Sequence, residues 1–209
     1  MHVPDGFLSP LVTIPAFVAA APVWIWSART RFGPASVESM PVIGSLTAVA
    51  FVIQTIMIPV PGGTSTHLLG VALLALLFDP RVAFVCESLV LLLQATLLGA
   101  GGVTVLGVNA LAMGLLGPGA AWLVWRALRG LNRRVAAFVA GWLGLQVATL
   151  SVAGALALQH ALSPSYFPVP PAVMLASMVV PSVLAGLVEG AYTVLAMSVL
   201  EKANLRGLA

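Results

Sequence analysis

The sequence predicts an all-α polytopic membrane protein with seven transmembrane helices, its N-terminus outside and its C-terminus inside. Three observations carry that prediction. Charged residues make up 7% of the 209-residue chain and hydrophobic residues 60%, whereas a soluble domain is about 25% charged. Apolar stretches of helical length recur along the whole sequence, separated by turn residues. The nine basic residues fall in alternate connections between those stretches.

The stretches run over residues 8–28, 40–60, 67–78, 82–98, 107–125, 135–157 and 172–200. Each reads as a membrane helix. The breaks carry turn chemistry: Arg31-Phe32-Gly33-Pro34, Pro59-Val60-Pro61-Gly62-Gly63, Asp79-Pro80, Gly99-Ala100-Gly101-Gly102 and Ser163-Pro164. No repeat or low-complexity linker divides the chain, so residues 1–209 are expected to form one integral-membrane domain. Arg29 and Arg31, then Arg81, then Arg126, Arg129, Arg133 and Arg134, then Lys202 and Arg206 occupy every second connection. The positive-inside rule then puts the N-terminus outside. The net charge of +3 is no nucleic-acid signal, because the basic residues build no solvated face. The single Cys86 excludes an intrachain disulfide.

The third stretch is anomalously short. Twelve residues from His67 to Phe78 make about 18 Å of helix, against a hydrocarbon core about 30 Å thick. With Asp79-Pro80-Arg81 at the inner face, His67 begins roughly 12 Å below the outer one. The segment 61–66 is then expected to dip into the protein, and Gly62 and Gly63 suit such a dip. The plainer alternative is a helix that starts near Val60.

The chain opens Met1-His2-Val3-Pro4-Asp5-Gly6, with no basic leader before the first apolar stretch. The Met1 amine, the His2 amide nitrogen and the His2 ring nitrogen are spaced to form fused chelate rings on one metal ion. His67 adds a fourth nitrogen if the N-terminus folds into the dip. Ring fusion favours a plane, and planar nitrogen sets suit Ni(II) or Cu(II) rather than Zn(II). Without amide deprotonation the site is weaker and suits Co(II). Taken singly, a histidine at position 2 is more often a loose tail residue, and an intramembrane histidine more often bonds a neighbouring helix. The pairing of the two at one end of one cavity is what favours metal. Asn109, Ser65, Thr64 and Asp5 are candidates to orient the ligands. His160, near Gln159 and Tyr166, reads as an interfacial residue.

These residues carry a resemblance. The N-terminal M-H-V-P-D-G-F-L-S-P and the segment P-G-G-T-S-T-H-L-L-G resemble two signatures of the CbiM/NikM family. These are the substrate-binding membrane components of energy-coupling factor transporters for cobalt and nickel. The run from Gln94 to Asn109 resembles that family's third conserved stretch. The resemblance implies a seven-helix fold and a metal site from the Met1 amine, the His2 amide and ring, and the His67 ring. It implies transported Ni(II) or Co(II) as the ligand and no resident cofactor. As partners it implies a membrane coupling subunit, two ATPase subunits and a small accessory membrane subunit, in a prokaryotic cytoplasmic membrane. Two positions depart from the pattern: Thr66 stands where glycine is expected, and Ala100 where an aspartate often precedes the glycines. Both bear on loop packing rather than on the ligands. The sequence ends soon after the seventh stretch, so the accessory subunit is not expected to be fused to it.

Glu87, Gln94, Gln54 and Glu189 fall inside the predicted spans, where they read either as interhelical hydrogen bonders or as an ion path. Small residues at helix-packing spacing include Ala16 with Ala20, Gly44 with Ala48, and Gly114 with Pro118. In the family resembled, a small-residue face docks the coupling subunit, and Gly44-x-x-x-Ala48 is a candidate for it. The chain has no G-x-x-x-x-G-K-[ST] run and no H-E-x-x-H. An ATPase or a metallohydrolase is therefore not expected in this chain. The reading is a metal-capture component of an uptake transporter. The alternative is a self-sufficient ion-coupled permease or channel that uses Glu189 and Glu87, and an intramembrane enzyme ranks below both.

Overall fold

A computed structural model describes residues 1–31, 38–60, 62 and 64–202. The predicted break at Phe32-Gly33-Pro34, the Pro61 and Gly63 of the predicted dip, and Arg206 lie outside the described residues. The chain is built from helices α1 (Pro10–Arg31), α2 (Met40–Gln54), α3 (Ala72–Leu77), α4 (Pro80–Leu93), α5 (Leu106–Asn109), α6 (Gly117–Leu128), α7 (Arg133–Leu162) and α8 (Pro171–Lys202). One hairpin, β1 (Ile58–Val60) with β2 (Thr64–Thr66), joins α2 to α3. α4 winds into a π turn over Gln94–Leu98, and a second π segment over Ala110–Leu116 joins α5 to α6.

Local chemistry sets most of the boundaries. Asp79 caps α4 by accepting from the Arg81 N–H, with Pro80 in the first helical position. Asn132 caps α7 by accepting from the N–H groups of Arg134 and Val135. Among the described residues, five continuous helical stretches are long and apolar enough to cross a membrane: Pro10–Thr30, Pro80–Leu98, Leu106–Leu128, Arg133–Leu162 and Pro171–Lys202. α2 is shorter, at 15 residues.

Two stretches depart from the sequence reading. The second helix was expected to reach Val60 and stops at Gln54. Pro59 cannot donate to a helix ladder, and the β-branched Ile58 and Val60 pair with Thr66 and Thr64 as a strand instead. The third stretch is not a helix from His67. Residues 67–71 are irregular, Gly70 takes the left-handed φ of +71°, and only Ala72–Leu77 is helical. Thr66, the residue departing from the family pattern, sits buried in β2, where a β-branched side chain fits.

α7 packs between α6 and α8, while α1 and the second π segment lie against α4. Small residues allow the close crossings, as the sequence suggested. A Cβ on Gly107 would stand 2.9 Å from the Phe17 nitrogen of α1, and one on Gly114 would stand 3.2 Å from the Phe84 ring of α4. One on Gly190 would stand 2.7 Å from the Phe138 carbonyl of α7. Gly44 differs, since a Cβ there meets nothing within 4 Å. The Gly44–Ala48 face therefore makes no close contact inside the chain at Gly44.

The two ends of the bundle differ in charge. At one end Arg129, Arg133, Phe78, Met197 and Glu201 line one cavity, and Arg133 pairs with Glu201 at 3.3 Å. Arg81 lies 4.4 Å from the Trp26 ring centre, pairing with Asp79 as well. At the opposite ends of α4 and α7 stand Gln94 and Gln159, and Ser9, just before α1, bonds Gln159. The described basic side chains and the first residues of the chain thus lie at opposite ends of these helices.

Gly190→Val should force α7 and α8 apart. Overpacking of this kind costs about 1–3 kcal/mol. A lowered thermal midpoint of the detergent-purified protein is expected, and an unchanged midpoint would contradict the packing described.

Candidate metal site

The start of the chain is buried. Met1, His2 and Val3 are between 0% and 3% exposed, which is unusual because chain ends are ordinarily loose. Each buried polar group needs a partner there. The Met1 amine donates to the Ser65 carbonyl and to the Ser65 Oγ at 3.3 Å. The Met1 sulfur accepts from the Thr149 hydroxyl at 2.7 Å. The Asn109 side-chain amide grips Val3 on both sides, accepting its N–H at 3.1 Å and donating to its carbonyl at 3.1 Å.

The next residues tie the segment to the glycine-rich loop. The Asp5 carboxylate accepts the Val103 N–H at 3.2 Å, the Thr104 N–H at 3.0 Å and the Thr104 hydroxyl. A Cβ on Gly102 would collide with the Asp5 carboxylate. Gly101 has φ +80°, and a Cβ on it would press on the His2 Cβ and Cδ2 at 3.3 Å. These close approaches explain the glycine pair where the sequence shows it.

The β1–β2 hairpin delivers His67. The two imidazoles stack, with ring centres 4.5 Å apart and 19° between planes. The His67 Nδ1 lies 2.8 Å from the Leu68 carbonyl. That contact requires the proton on Nδ1, so the Nε2 lone pair is free. His67 Nε2 and both His2 ring nitrogens are buried and have no hydrogen-bond partner. The Gln94 amide faces the His2 ring closely enough to interact with it but closes no hydrogen bond of ordinary geometry.

Burial first, and the neighbouring amine second, push the His2 imidazole from 6.5 down to about 3, against an opposite pull from Gln94. Burial likewise pushes the Met1 amine well below its ordinary value of 8.0. The His2 imidazole is therefore a neutral donor at neutral pH. Among the described residues there is no group of three or more His, Cys, Asp and Glu side chains that could hold a metal ion. The donors gathered here are two rings and main-chain nitrogens.

The residues expected from the sequence fall as follows. Met1, His2, Ser65, His67 and Asn109 come together, and the Thr64 hydroxyl donates to the Ser65 carbonyl at 3.4 Å. Asp5 fastens the loop rather than a ligand. His160 binds the Phe167 carbonyl at 2.9 Å in the α7–α8 connection. Nothing in the sequence alone gives a role to Gln94 beside His2, to Thr149 under Met1, or to Gly101. Gln94, Gly101 and Asn109 all lie in the third sequence stretch singled out, and that was the available signal. Gln94 begins one π turn and Asn109 precedes the other. A π turn adds a residue to the helical turn and re-aims the side chains, and such turns are frequent at functional sites.

The family profile described as "Cobalt uptake substrate-specific transmembrane region" matches residues 2–206. A fused nickel transport protein of Rhodobacter capsulatus is 34% identical over 98% of this chain and 62% of its own length. A cobalt transport protein of Roseiflexus sp. is 39% identical over 62% of this chain and 53% of its own. The chain thus spans less than two thirds of either relative. The crystal structure of a truncated transition metal transporter superposes with a TM-score of 0.93 at 31% identity, covering 97% of this chain and 99% of that one.

Asn109→Ala leaves the Val3 N–H and carbonyl buried without partners, a cost of about 1–3 kcal/mol each. Faster hydrogen exchange over residues 2–5 is expected, and unchanged exchange would contradict the clamp. Acid should loosen the same segment. Because the His2 pKa falls on docking, the docked state is fully favoured above about 6.5 and loses ground as pH falls toward 3. Measured against the intrinsic rate at each pH, protection of the His2, Val3 and Asp5 amides should fall from pH 7 to 4.5 more steeply than that of the α7 core.

Proposed function

Because the chain belongs to the family of cobalt-uptake substrate-specific transmembrane regions, we propose that it is the substrate-capture component of an ATP-driven uptake transporter of the energy-coupling factor type. Its cargo is Ni(II) or Co(II). The ligands are the Met1 amine, the His2 amide and ring nitrogens, and the His67 Nε2. The observation that carries this reading is the stacked pair of buried imidazoles whose outward nitrogens have no partner. A soluble or membrane core rarely leaves such groups unsatisfied without a use for them.

The chemistry follows from the donor spacing. Amine, amide and ring nitrogen of one dipeptide close fused chelate rings, and the fourth donor must approach in their plane. Planar four-nitrogen sets fit Ni(II). Co(II) is taken with the amide left protonated, at lower affinity. The segment 1–9 is both ligand and lid, held shut by Asn109, Ser65 and the contacts of Asp5 with Val103 and Thr104.

The chain acts as a single domain with seven crossings, five from the long helices and two from α2 and the stretch that ends in α3. The N-terminus lies outside and the C-terminus inside, in the cytoplasmic membrane of a prokaryote. The grouping of basic side chains away from the first residues supports that orientation. The work of ATP is done by two partner ATPases, since the sequence has no phosphate-binding loop of that type. A membrane coupling subunit transmits it, and a small accessory membrane subunit completes the assembly. The fused nickel transport relative, longer than this chain, supports further components. The permease alternative draws less support, because the Glu189 carboxylate is occupied by two backbone N–H groups rather than facing an open path.

One residue added before Met1 should remove the chelating amine. Nickel affinity measured by calorimetry on the purified chain should then fall at least about 100-fold, and His67→Ala should lower it by a comparable factor. Affinity unchanged by the extension would sink the proposed donor set.

A further inference from the structure

His67 has a support that the ligand reading does not use. Its Nδ1 donates to the Leu68 carbonyl at 2.8 Å. The N–H of the same peptide unit, that of Leu69, donates to Glu189 Oε2 at 2.9 Å. The next N–H, that of Gly70, donates to Glu189 Oε1 at 2.8 Å. A peptide unit is planar and stiff. Fixing its N–H therefore fixes the direction of its carbonyl, and so the ring that bonds to that carbonyl.

The other face of Leu69 is also held. Gln54 donates to the Leu69 carbonyl at 2.9 Å and to Glu87 Oε2 at 2.8 Å. Gln54, Glu87 and Glu189 are all 0% exposed and stand on α2, α4 and α8. Three helices thus converge on the two residues that follow the His67–Leu68 pair. Gly70 itself is at φ +71°, and a Cβ there would stand 3.3 Å from the Ala50 Cα of α2. The irregular segment is therefore tied to helices on every side described.

We propose that Glu189 is a positioning residue for the metal site, acting on His67 through the Leu68–Leu69 peptide. The statement rests on the reading of His67 as a ligand. Ligating histidines commonly donate their second ring N–H to a carbonyl or carboxylate that fixes the tautomer. Here the carbonyl does so directly, and the carboxylate does so one peptide further on. An acceptor on the N–H also polarises the peptide and strengthens its carbonyl as an acceptor. The arrangement makes His67 sensitive to any shift of α8 against α2 and α4, which gives a coupling subunit a mechanical handle on the site.

The test uses the full chain in nanodiscs with nitrogen-15 histidine, first without metal and then titrated with Ni(II). In Glu189→Gln the amide nitrogen faces a backbone N–H, donor against donor, so one of the two bonds is lost; in Glu189→Ala both are. The ring nitrogen shifts of His67 should move away from a pure Nδ1–H tautomer in both variants, more in Glu189→Ala. Nickel affinity should fall about 10-fold in Glu189→Gln and up to about 100-fold in Glu189→Ala. A thermal midpoint lowered with His67 shifts unchanged would mean a merely structural carboxylate and would overturn the proposal. Should Glu189→Ala not fold, Glu189→Gln carries the same decision. If the shifts move while His67→Ala and both Glu189 variants bind nickel as the wild type does, Glu189 orients the His67 ring but the ligand reading falls and the proposed role at the metal site falls with it.

Discussion

Burying the first residues of a chain takes an amine and several peptide groups out of water, and each must then be bonded inside the protein. The two-sided grip of Asn109 on Val3 meets two of those demands at once, and the rest of the site is arranged around it. With Val3 fixed, the Met1 amine reaches Ser65 and the His2 ring lies on the His67 ring. The Gly101 and Gly102 backbone can come close because neither carries a Cβ. Asp5 then binds the loop from the other side. The segment behaves as part of the core, with Met1 and Val3 buried in the same apolar cluster as Leu8, Met113 and Leu145.

The same site is fastened from the opposite direction by the helices. His67 belongs to neither a helix nor a strand, so its position is set by side chains that arrive from α2, α4 and α8. Irregular backbone surrounded by apolar helices is stable only when its polar groups are paired. Glu189 and Gln54 supply those partners. The two histidines are thus held by separate clamps, one on the N-terminal segment and one on the helix bundle. Metal bound between them would bridge the clamps, and separating the clamps would release it.

Much of this was legible in the sequence. The long helices follow from apolar runs and the turn residues between them, as Asp79-Pro80 shows. The ligand candidates follow from the spacing of amine, amide and imidazole, and from the shortness of the stretch after His67. What was not legible came from long-range pairing. The hairpin that ends α2 at Gln54 needs Thr64–Thr66 to meet Ile58–Val60, and no local pattern announces that register. The irregular path of residues 67–71 depends on a carboxylate more than a hundred positions away, at Glu189. Gln94 read as one more intramembrane polar group, because the π turn that sets it beside His2 leaves no mark on a 3.6-residue period. Gly44 and Ala48 show the converse case, where a familiar spacing makes no close internal contact at Gly44.

X-ray absorption at the nickel edge, on the full chain loaded with one equivalent of Ni(II), tests the central claim most directly. Four nitrogen donors in a planar set, with scattering from two imidazole rings, are the predicted result. A six-coordinate ion with mainly oxygen donors would contradict the account.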